Sequence, residues 1–554
     1  MAKITDKSAI QFRTLNTKKG PAVHSSRTQN DKLRYHMAMK SVIECQANLD
    51  LKQALVEKLI TENGEVKGVV DNTGFSFQSK AVIIATGTFL SGLVHIGTSS
   101  FMAGRAGEFA SYGLAADLKG LGFQLGRMKT GTPPRLLKSS IDFSAFNRQD
   151  EQVEAKPFSF SNESVQYPRV PSYMGHTSDK SHKIVLDNLN KSALYSGNIK
   201  GVSARYCPSF EDKAVKFPHR TIHKVILEPE GLDTEEIYAS GLGNSLPMEV
   251  QIKFVRSVKG LEQAEIMRPA YAIEYDYINP IHLKPTLETG RITNLFMAGQ
   301  INGTSGYEEA AAQGLWAGIN AACKILGMPA FILDRSEAYM GVLMDDLVTR
   351  GTTEPYRMFT SRAEYRLMLR EDNADMRLVQ KGYELRLVNK DFMMKVEEKR
   401  KKISAEIGRI KQTVIKPSVI VNDYLTGHDT KPIKDGIHLD RLLKRTQLDY
   451  KMVKALSPAP ESMSNKVSRQ VEIEIKYEGY IRRQLSEIDK FKHMEQVKIP
   501  LEFDYKKVYG LSNEITEKLF SIRPSSLGQA SRIDGITPVA ISVLMVALKA
   551  FRRS

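Results

Sequence analysis

The sequence predicts an α/β protein that continues into an α-helical C-terminal part, and three observations carry this prediction. Ala81–Ala85 is apolar on both faces, which is typical of a parallel strand covered by helices on both sides. Asn294–Gly299 is a second apolar strand, and a glycine-rich turn and an alanine-rich helix from Tyr307 to about Ile325 follow it. From residue 335 onward helical patterning dominates, and charged stretches such as 395–412 indicate exposed helices.

The remaining N-terminal segments predict a helix, antiparallel strands and then an inserted domain. Residues 1–50 predict a polar turn and a helix over Arg27–Cys45, with an apolar stripe that includes Leu33 and Met37. Asn63-Gly64, between two strand-like runs, indicates a β-hairpin, and Gly74–Lys80 alternates as a third strand. Residues 120–280 are mixed and rich in proline and aromatic residues, which favours a second domain inserted into the first.

Composition limits the classes of function. The net charge is +16 and the pI about 9.4, so the surface attracts polyanions, although a basic enzyme without such a partner has the same composition. Cys45, Cys207 and Cys323 are far apart and form no CxxC pair, so we expect neither a disulfide framework nor a metal site. We find no signal-peptide pattern, and Val539–Leu548 is too short to cross a bilayer. These features predict a soluble, cytoplasmic protein without a membrane segment.

The segment Ala298–Gly314 is the strongest candidate for a ligand site. A buried strand ends at Gly299, and glycine allows the backbone to approach a ligand closely. The helix that follows presents free N–H groups and the positive end of its dipole. An electron-rich ring or a phosphate could bind there, at the carboxyl edge of a sheet. An ordinary strand–turn–helix with tightly packed glycines is the alternative.

Two further segments combine cations with aromatic rings. Ser203–Phe217 places Arg205 and Lys213 near Tyr206, with Glu211 and Asp212 as possible ribose acceptors; a solvated loop with local ion pairs is the alternative. A guanidinium beside Cys207 would favour a nucleophilic thiolate, whereas a packed small side chain is the other interpretation, and we expect Cys45 and Cys323 to be core residues.

The segment 356–366 interleaves arginine with aromatic residues, which suits binding of phosphates and unstacked bases. An amphipathic helix between domains is the alternative. The predicted nucleic-acid contacts are Arg357, Arg362, Arg366, Arg482 and Arg483.

In their residue-by-residue motifs, these segments resemble one family, the MnmG (GidA) tRNA uridine 5-carboxymethylaminomethyl modification enzymes. The resemblance covers essentially the whole chain, and its motifs are long and in family order. They are Ala298–Gly314, Ile10–Gln29, Ala85–Gly92, Gly104–Glu108, Arg127–Arg135, Arg205–Lys213, Glu228–Gly231, Ile273–Tyr277, Glu354–Asp375, Val471–Ile481, Gly510–Glu514 and Leu527–Ile541.

The resemblance implies a two-dinucleotide-binding-domain flavoprotein with an α-helical C-terminal domain. The implied domains are a discontinuous Rossmann-like FAD domain (1–130 and 280–340), an inserted NAD and substrate domain (131–279), a helical linker domain (341–470) and a C-terminal helical subdomain for tRNA or partner binding (471–554). Val56, Ser111 and Gln300 are the implied FAD contacts. The implied nicotinamide segment comprises Ser203, Ala204, Arg205, Tyr206, Cys207, Pro208, Ser209, Phe210, Glu211, Asp212, Lys213, Ala214, Val215, Lys216 and Phe217.

One feature departs from the family pattern. Members open with a strand, a GxGxxG turn and a helix for the FAD pyrophosphate, and this chain contains no GxGxxG; Gly241–Leu246 begins correctly and fails at the last glycine. We therefore expect a chain that is N-terminally truncated relative to the family, with its first βα unit missing. Either the start is misplaced or the unit is lost, and a real loss would abolish most of the affinity for FAD.

The resemblance also implies the reaction and the partners. NADH would reduce FAD, methylenetetrahydrofolate would supply a methylene for C5 of the wobble uridine, and glycine or ammonia would complete the substituent. The implied partners are tRNA and the GTPase MnmE, with a homodimer inside a heterotetramer. Three alternatives remain: a folate-dependent tRNA uracil methyltransferase of the TrmFO type, a general flavin oxidoreductase, and a non-catalytic remnant that binds tRNA or MnmE.

Overall fold

The computed structural model describes residues 1–150, 156–204, 208–220, 222–459 and 463–551. Short strands dominate the first 300 of these residues and helices the rest. The strands are β1 (Ala9–Leu15), β2 (Ser25–Asn30), β3 (Val56–Glu62), β4 (Glu65–Asp71), β5 (Ser76–Gln78), β6 (Val82–Ile84), β7 (Leu93–Ile96), β8 (Ser99–Met102), β9 (Leu125–Thr132), β10 (Arg135–Leu137), β11 (Asn147–Gln149), β12 (Ser172–His176), β13 (Val202–Ser203), β14 (Lys224–Pro229), β15 (Glu236–Ser240), β16 (Ile266–Arg268), β17 (Tyr271–Ile278), β18 (Leu295–Met297), β19 (Val414–Ile415) and β20 (Ile437–His438).

Helices of one to six turns connect and cover these strands and build the C-terminal part. They are α1 (Ala2–Ser8), α2 (Lys32–Glu44), α3 (Gly113–Gly120), α4 (Asp179–Leu186), α5 (Phe210–Lys216), α6 (Met248–Val255), α7 (Tyr307–Ile325), α8 (Tyr339–Arg350), α9 (Ala374–Glu384), α10 (Lys390–Gln412), α11 (Val419–Gly427), α12 (Leu439–Leu443), α13 (Tyr450–Leu456), α14 (Asn465–Lys476), α15 (Glu478–Gln496), α16 (Asn513–Ile522), α17 (Leu527–Ser531) and α18 (Pro538–Phe551).

The strands form several small sheets. A parallel pair joins β6 to β18, and β3, β4 and β5 form an antiparallel meander beside it. A five-stranded sheet has the order β13-β9-β17-β7-β8, in which only the β13–β9 pair is parallel. A six-stranded antiparallel sheet, β11-β12-β14-β15-β10-β16, lies within residues 135–268.

Separate hydrophobic cores accompany these layers. The first packs β6, β18 and α7 around the fully buried Trp316, and the second packs the six-stranded sheet around Phe210 and Phe254. Two further cores lie within the helical part, over residues 403–475 and 499–548. The arrangement is compatible with the predicted division into domains, whose boundaries remain a proposal.

Several local predictions are confirmed. Asn63 and Gly64 have φ angles of +50° and +77°, as a two-residue hairpin turn between β3 and β4 requires. The predicted third strand is β5, and α7 runs over the predicted Tyr307–Ile325. Both apolar runs form strands, and these strands pair in parallel.

Other local predictions are wrong. Residues 9–30 form the antiparallel pair β1–β2 instead of a polar turn, and the apolar stripe of α2 is exposed, with Leu33 67% accessible. Cys45 ends this helix and is exposed, so it is not a core residue, whereas Cys323 in α7 is buried as expected. Ile83 is 38% exposed, so β6 is not covered on both faces among the described residues.

Candidate functional site

The carboxyl ends of β6 and β18 bring two glycine turns together. The backbone N–H of Ala298 donates to the carbonyl of Ile84 at 2.9 Å, which holds the strand ends level. Gly87 follows one strand and Gly299 the other, with φ angles of +56° and +85°. Gln300 Oε1 lies 3.5 Å from the position that a Cβ on Gly87 would occupy. The partly buried Gln300 amide is therefore placed between the two turns, and its predicted contact with the flavin stays a prediction.

A buried amide network fixes the turn after β18. Gln313 Oε1, from the second turn of α7, accepts hydrogen bonds from Gly299 N–H at 2.9 Å and Asn302 Nδ2 at 2.8 Å. Its Nε2 donates to Thr304 Oγ1 at 2.8 Å, and the side chains of Gln313, Asn302 and Thr304 are fully buried. Because an unpaired buried polar group is costly, each of these bonds favours the one observed shape of the turn.

The other two predicted FAD contacts lie next to each other. Ser111 Oγ donates to the carbonyl of Val56 at 3.2 Å, and the Ser111 amide donates to Phe89 in the loop that follows β6. Ser111 is buried and Val56 is partly buried as the first residue of β3. Ser111 therefore connects the meander to the glycine turn of β6, which is also compatible with a structural role.

The edge of the parallel pair fits the ring of a flavin better than its phosphates. Thr86 Oγ1 is buried beside Gly87 without a hydrogen-bond partner, so a polar atom of a ligand can satisfy it. The N-terminus of α7 carries Glu308 and Glu309, and the Glu309 carboxylate lies against Gly306. An acidic first turn is favourable for the helix dipole but repels an anion, so the phosphate interpretation of this turn is not favoured.

The near-match Gly241–Leu246 is a buried structural turn. It joins β15 to α6, and the Ser245 amide donates to Glu211 Oε1 at 2.7 Å. A Cβ on Gly241 would lie 2.4 Å from the carbonyl oxygen of Lys224, which explains the glycine. Because its amide is occupied by a protein carboxylate, this turn does not bind a phosphate.

The predicted nicotinamide segment is divided between a strand end and a buried helix. Ser203 ends β13, Ala204 follows it, and both are partly buried. After the gap in the described residues, Pro208 and Ser209 lead into α5, whose first turn Ser209 caps. The buried residues of the helix are Phe210, Glu211, Asp212 and Ala214, and the exposed ones are Val215, Lys216 and Phe217.

The structure corrects the expected role of the acidic pair in this segment. Glu211 is fully buried, and its Oε1 accepts bonds from Ser192 Oγ at 3.0 Å and Ser245 Oγ at 2.8 Å. Asp212 accepts from Tyr195 and pairs with Lys216 at 2.7 Å. Lys213 donates to the carbonyl of Gly241 at 3.2 Å. Glu211 therefore holds the domain together and is not accessible to a ribose hydroxyl.

Arg205, Tyr206 and Cys207 lie outside the described residues, so the predicted catalytic cysteine stays a prediction.

The segment 356–366 is an irregular loop with one isolated bridge at Tyr356 and a short 3₁₀ turn, so the alternative of an amphipathic helix is wrong. Arg362 stacks over the Tyr356 ring at 4.4 Å and pairs with the buried Asp346 at 3.4 Å. Arg366 donates to the carbonyl of Ala363, whereas Arg357 is half-exposed and 3.7 Å from Glu309. Arg357 and Arg366 are exposed and Arg362 is partly buried, so Arg357 and Arg366 are the more available to a ligand.

The other predicted nucleic-acid contacts lie on α15. Arg482 and Arg483 are 80% and 81% exposed and make only single i,i+4 pairs, with Glu478 and Glu487. Such exposed pairs contribute little to stability and exchange readily with a phosphate.

A cleft of about 4240 Å³ lies beside Arg357 and the first turn of α7, and it has several times the volume of a pocket for one small ligand. α2, the first turn of α7 and the segment 357–360 form one part of its lining, and residues of α10, α13 and α14 form another. Lysine and arginine outnumber acidic residues in this lining by eighteen to twelve. The cleft is therefore large enough, and basic enough, for a polyanion.

Sequence reasoning missed several residues that the structure brings into the site. Gln313 lies within a quoted motif but was not assigned a role, although a glutamine on an otherwise alanine-rich helix face was a usable signal. The buried pair of His95 and Glu274 and the buried Arg335, which pairs with Asp346, had no such signal because their partners are remote in sequence.

This combination of a parallel strand pair with glycine turns, an inserted β-domain and a helical C-terminal part defines an α/β flavoprotein fold with an added helical region. The chain belongs to the MnmG/GidA family. The family described as glucose inhibited division protein A matches residues 1–329. The C-terminal helical domain and the C-terminal helical bundle of the tRNA modifying enzyme MnmG/GidA match residues 390–485 and 487–554.

Individual relatives agree with this assignment. The tRNA uridine 5-carboxymethylaminomethyl modification enzyme MnmG of Syntrophobacter fumaroxidans is 58% identical over 99% of this chain and 86% of its own length. The enzyme of the same name from Thermodesulfovibrio yellowstonii is 52% identical over 99% and 88%. The form I crystal structure of Aquifex aeolicus GidA superposes with a TM-score of 0.90 at 45% identity, covering 99% of this chain and 89% of that one.

One expectation, on the start of the chain, is not confirmed. The comparisons do not bear out the predicted N-terminal truncation: the family match begins at residue 1, and the two relatives align with 99% of this chain, which spans 86% and 88% of their lengths. Within the described ranges, no helix is long and apolar enough to cross a membrane. The same ranges contain no group of three or more His, Cys, Asp or Glu side chains that could hold a metal ion.

Proposed function

We propose that this chain modifies a tRNA uridine at C5, adding the carboxymethylaminomethyl group after which its relatives are named. The observation that carries the proposal is identity of 50–58% to enzymes of this name over nearly the whole chain. The C-terminal helical matches disfavour the TrmFO-type alternative, which lacks that region, and the basic cleft disfavours a small-substrate oxidoreductase.

FAD is the cofactor that the glycine turns fit, and it supplies redox chemistry when bound. Gln300 would hydrogen-bond to the polar edge of the ring, and Gln313 would keep the turn in shape from behind. Val56 would present its backbone to the adenine side and Ser111 would contact the flavin, and Thr86 offers a buried hydroxyl next to Gly87. These residues bind and orient the ring, and the first turn of α7 excludes other anions from it.

NADH and methylenetetrahydrofolate are proposed as reductant and carbon donor. The exposed parts of Ser203–Phe217 would bind the nicotinamide dinucleotide. Cys207 is proposed to add its thiolate to C6 of the uridine, so that the C5–C6 π electrons form a bond from C5 to the methylene carbon as its bond to the folate nitrogen breaks. Loss of the C5 proton and elimination of the thiolate would then restore the C5–C6 double bond. Both proposals rest on residue chemistry and on the resemblance to the family.

The cleft supports a macromolecular substrate. Arg357 on its wall and the exposed Arg366 would contact tRNA phosphates, as would Arg482 and Arg483 on α15. Arg362 is proposed to support the segment from within. We further propose assembly as a homodimer with the GTPase MnmE, and action in the cytoplasm, where tRNA is available.

The experiment is nucleoside mass spectrometry of tRNA from a strain without its own relative of this chain. The tRNA is incubated with the purified protein, MnmE, FAD, NADH, methylenetetrahydrofolate and glycine or ammonium. We expect 5-aminomethyl-type uridines from wild type and from the exposed control Gln263→Ala, and far less from Gln300→Ala. Tight tRNA binding without product would contradict the proposal and favour the non-catalytic remnant.

A further inference from the structure

Glu274, in the centre of β17, is a buried carboxylate with an unusual set of partners. It is 3% exposed, and its Oε1 accepts hydrogen bonds from the backbone amides of Lys200 at 2.8 Å and Gly201 at 2.6 Å. Its Oε2 lies 2.9 Å from Nε2 of His95, which is equally buried on β7. Lys200 and Gly201 immediately precede β13, so this carboxylate holds the start of the predicted nicotinamide segment.

The protonation state of this group follows from its contacts. Burial alone would raise the pKa of Glu274, but the hydrogen bonds from His95, Gly201 and Lys200 and the charge of Arg127 together lower that pKa below its ordinary value. An ionised carboxylate only accepts hydrogen bonds, so Nε2 of His95 carries the proton. Three groups, His95 and the amides of Lys200 and Gly201, therefore donate hydrogen bonds to the carboxylate, and Arg127 interacts with it through its charge.

The contacts around Glu274 extend through Arg127 to the flavin side of the molecule. Arg127 Nε is 3.9 Å from Glu274 Oε1, and its Nη1 donates to Asp276 Oδ1 at 2.9 Å and to the carbonyl of Ser91 at 2.7 Å. Ser91 has a φ of +47°, and its amide donates to the carbonyl of Ser111. One chain of contacts thus runs from a predicted FAD residue to the strand that enters the nicotinamide segment.

The backbone at the start of β13 is tightly packed. A Cβ on Gly201 would lie 2.8 Å from the backbone of Met128 and 3.1 Å from Glu274 Oε1. The next two residues pair in parallel with β9, Val202 with Met128 and Ser203 with Lys129. The position of Ser203 and of Ala204 after it therefore depends on two hydrogen bonds from backbone amides to the Glu274 carboxylate and on the two residue pairs between β13 and β9.

We propose that Glu274 is a positioning residue, which fixes β13, the strand that enters the nicotinamide segment, relative to the flavin-side loop through Gly201 on one side and Arg127 on the other. The proposal rests on the proposed nicotinamide function of Ser203–Phe217. Glu274 is buried behind the strand, so its effect is on where the binding residues lie.

The test compares Glu274→Ala, Glu274→Asp and Glu274→Gln with Glu265→Gln, an exposed control in the same domain. The first readout needs no cofactor: hydrogen exchange of the amides of Lys200 and Gly201, followed by mass spectrometry of a peptide spanning 198–202. We expect exchange at least tenfold faster in E274A and intermediate in E274D, which keeps the charge but shortens the reach. E274Q retains an acceptor oxygen and should stay close to wild type.

The second readout is the equilibrium dissociation constant of NADH, with the limiting rate of flavin reduction measured on the FAD-loaded protein. We expect the NADH Kd to rise about tenfold to a hundredfold in E274A and less in E274D. The limiting rate should change by less than threefold, and E274Q should rescue the Kd.

Three results would overturn the inference. One is unchanged amide exchange in both E274A and E274D; another is faster exchange with an unchanged Kd; the third is an equal loss in Kd, limiting rate and melting temperature, which a purely structural role predicts. A wild-type protein that does not bind NADH removes the proposed nicotinamide function and this inference together. If the Glu274 variants change the NADH Kd but the wild type gives no modified tRNA, only the proposed tRNA activity is refuted.

Discussion

Replacement of Gln313 by alanine tests how the flavin turn is held. The substitution removes the side chain that pairs with Gly299 N–H, Asn302 Nδ2 and Thr304 Oγ1, all of them buried. Leaving a buried polar group unpaired costs about 1–3 kcal/mol. Three groups lose a partner, and the surrounding structure relaxes in part. We therefore expect the free energy of unfolding to fall by at least about 3 kcal/mol, before any cost of the cavity is added.

The assay is differential scanning calorimetry, because a chain with several cores does not unfold as one two-state unit. A loss of about 3 kcal/mol corresponds to a decrease of roughly 6–12 °C in the melting temperature of a unit of this size. Gln263→Ala, an exposed control of the same chemistry, should shift no transition. A Q313A protein that melts within 2 °C of this control would refute the reasoning, since the three bonds would then contribute nothing measurable.

Three further outcomes follow from the same structure. Glu211→Gln should lower the melting temperature while leaving the NADH Kd within twofold, because the carboxylate is buried in the protein; a large rise in Kd would show ribose contact. The double change Arg482→Ala and Arg483→Ala should reduce the slope of log affinity for tRNA against log salt by about 1–2 without changing stability, whereas Arg362→Ala should chiefly lower stability. Hydrogen bonds from Lys411 and Lys444 lower the pKa of Glu478 to about 2. Glu478→Gln should therefore destabilise the helical part by less than about 1 kcal/mol at neutral pH. That difference should shrink as the pH falls from about 4 towards 2, where the wild-type carboxylate becomes protonated; urea titrations at several pH values measure it.

The sequence predicted those parts of the fold whose signals are local. Asn63-Gly64 specifies a hairpin because both residues tolerate positive φ, and the continuous apolar runs specify β6 and β18. The pair β1–β2 was missed because neither strand alternates cleanly: its core-facing residues include Gln11, which bonds to remote carbonyl groups.

The residues of the candidate site also divide into those with a local sequence signal and those without one. Gln300 could be predicted as a candidate because a glycine-rich turn after a buried strand is a local pattern. Glu211 was interpreted as a ligand contact because an acidic residue normally lies on the surface, and its burial depends on Ser192 and Ser245, which are distant in sequence. Glu274 was missed for the same reason, since only the pairing of β17 with β7 and β9 brings its donors together.

The central claim is that the turns at Gly87 and Gly299 bind a flavin ring through Gln300. Titration of FAD into the purified protein, followed by quenching of flavin fluorescence, tests it directly. The account predicts saturable binding of one FAD per chain, weakened at least tenfold by Gln300→Ala and unchanged by Gln263→Ala. Equal FAD affinity in wild type and Q300A, or no binding by wild type, would contradict it.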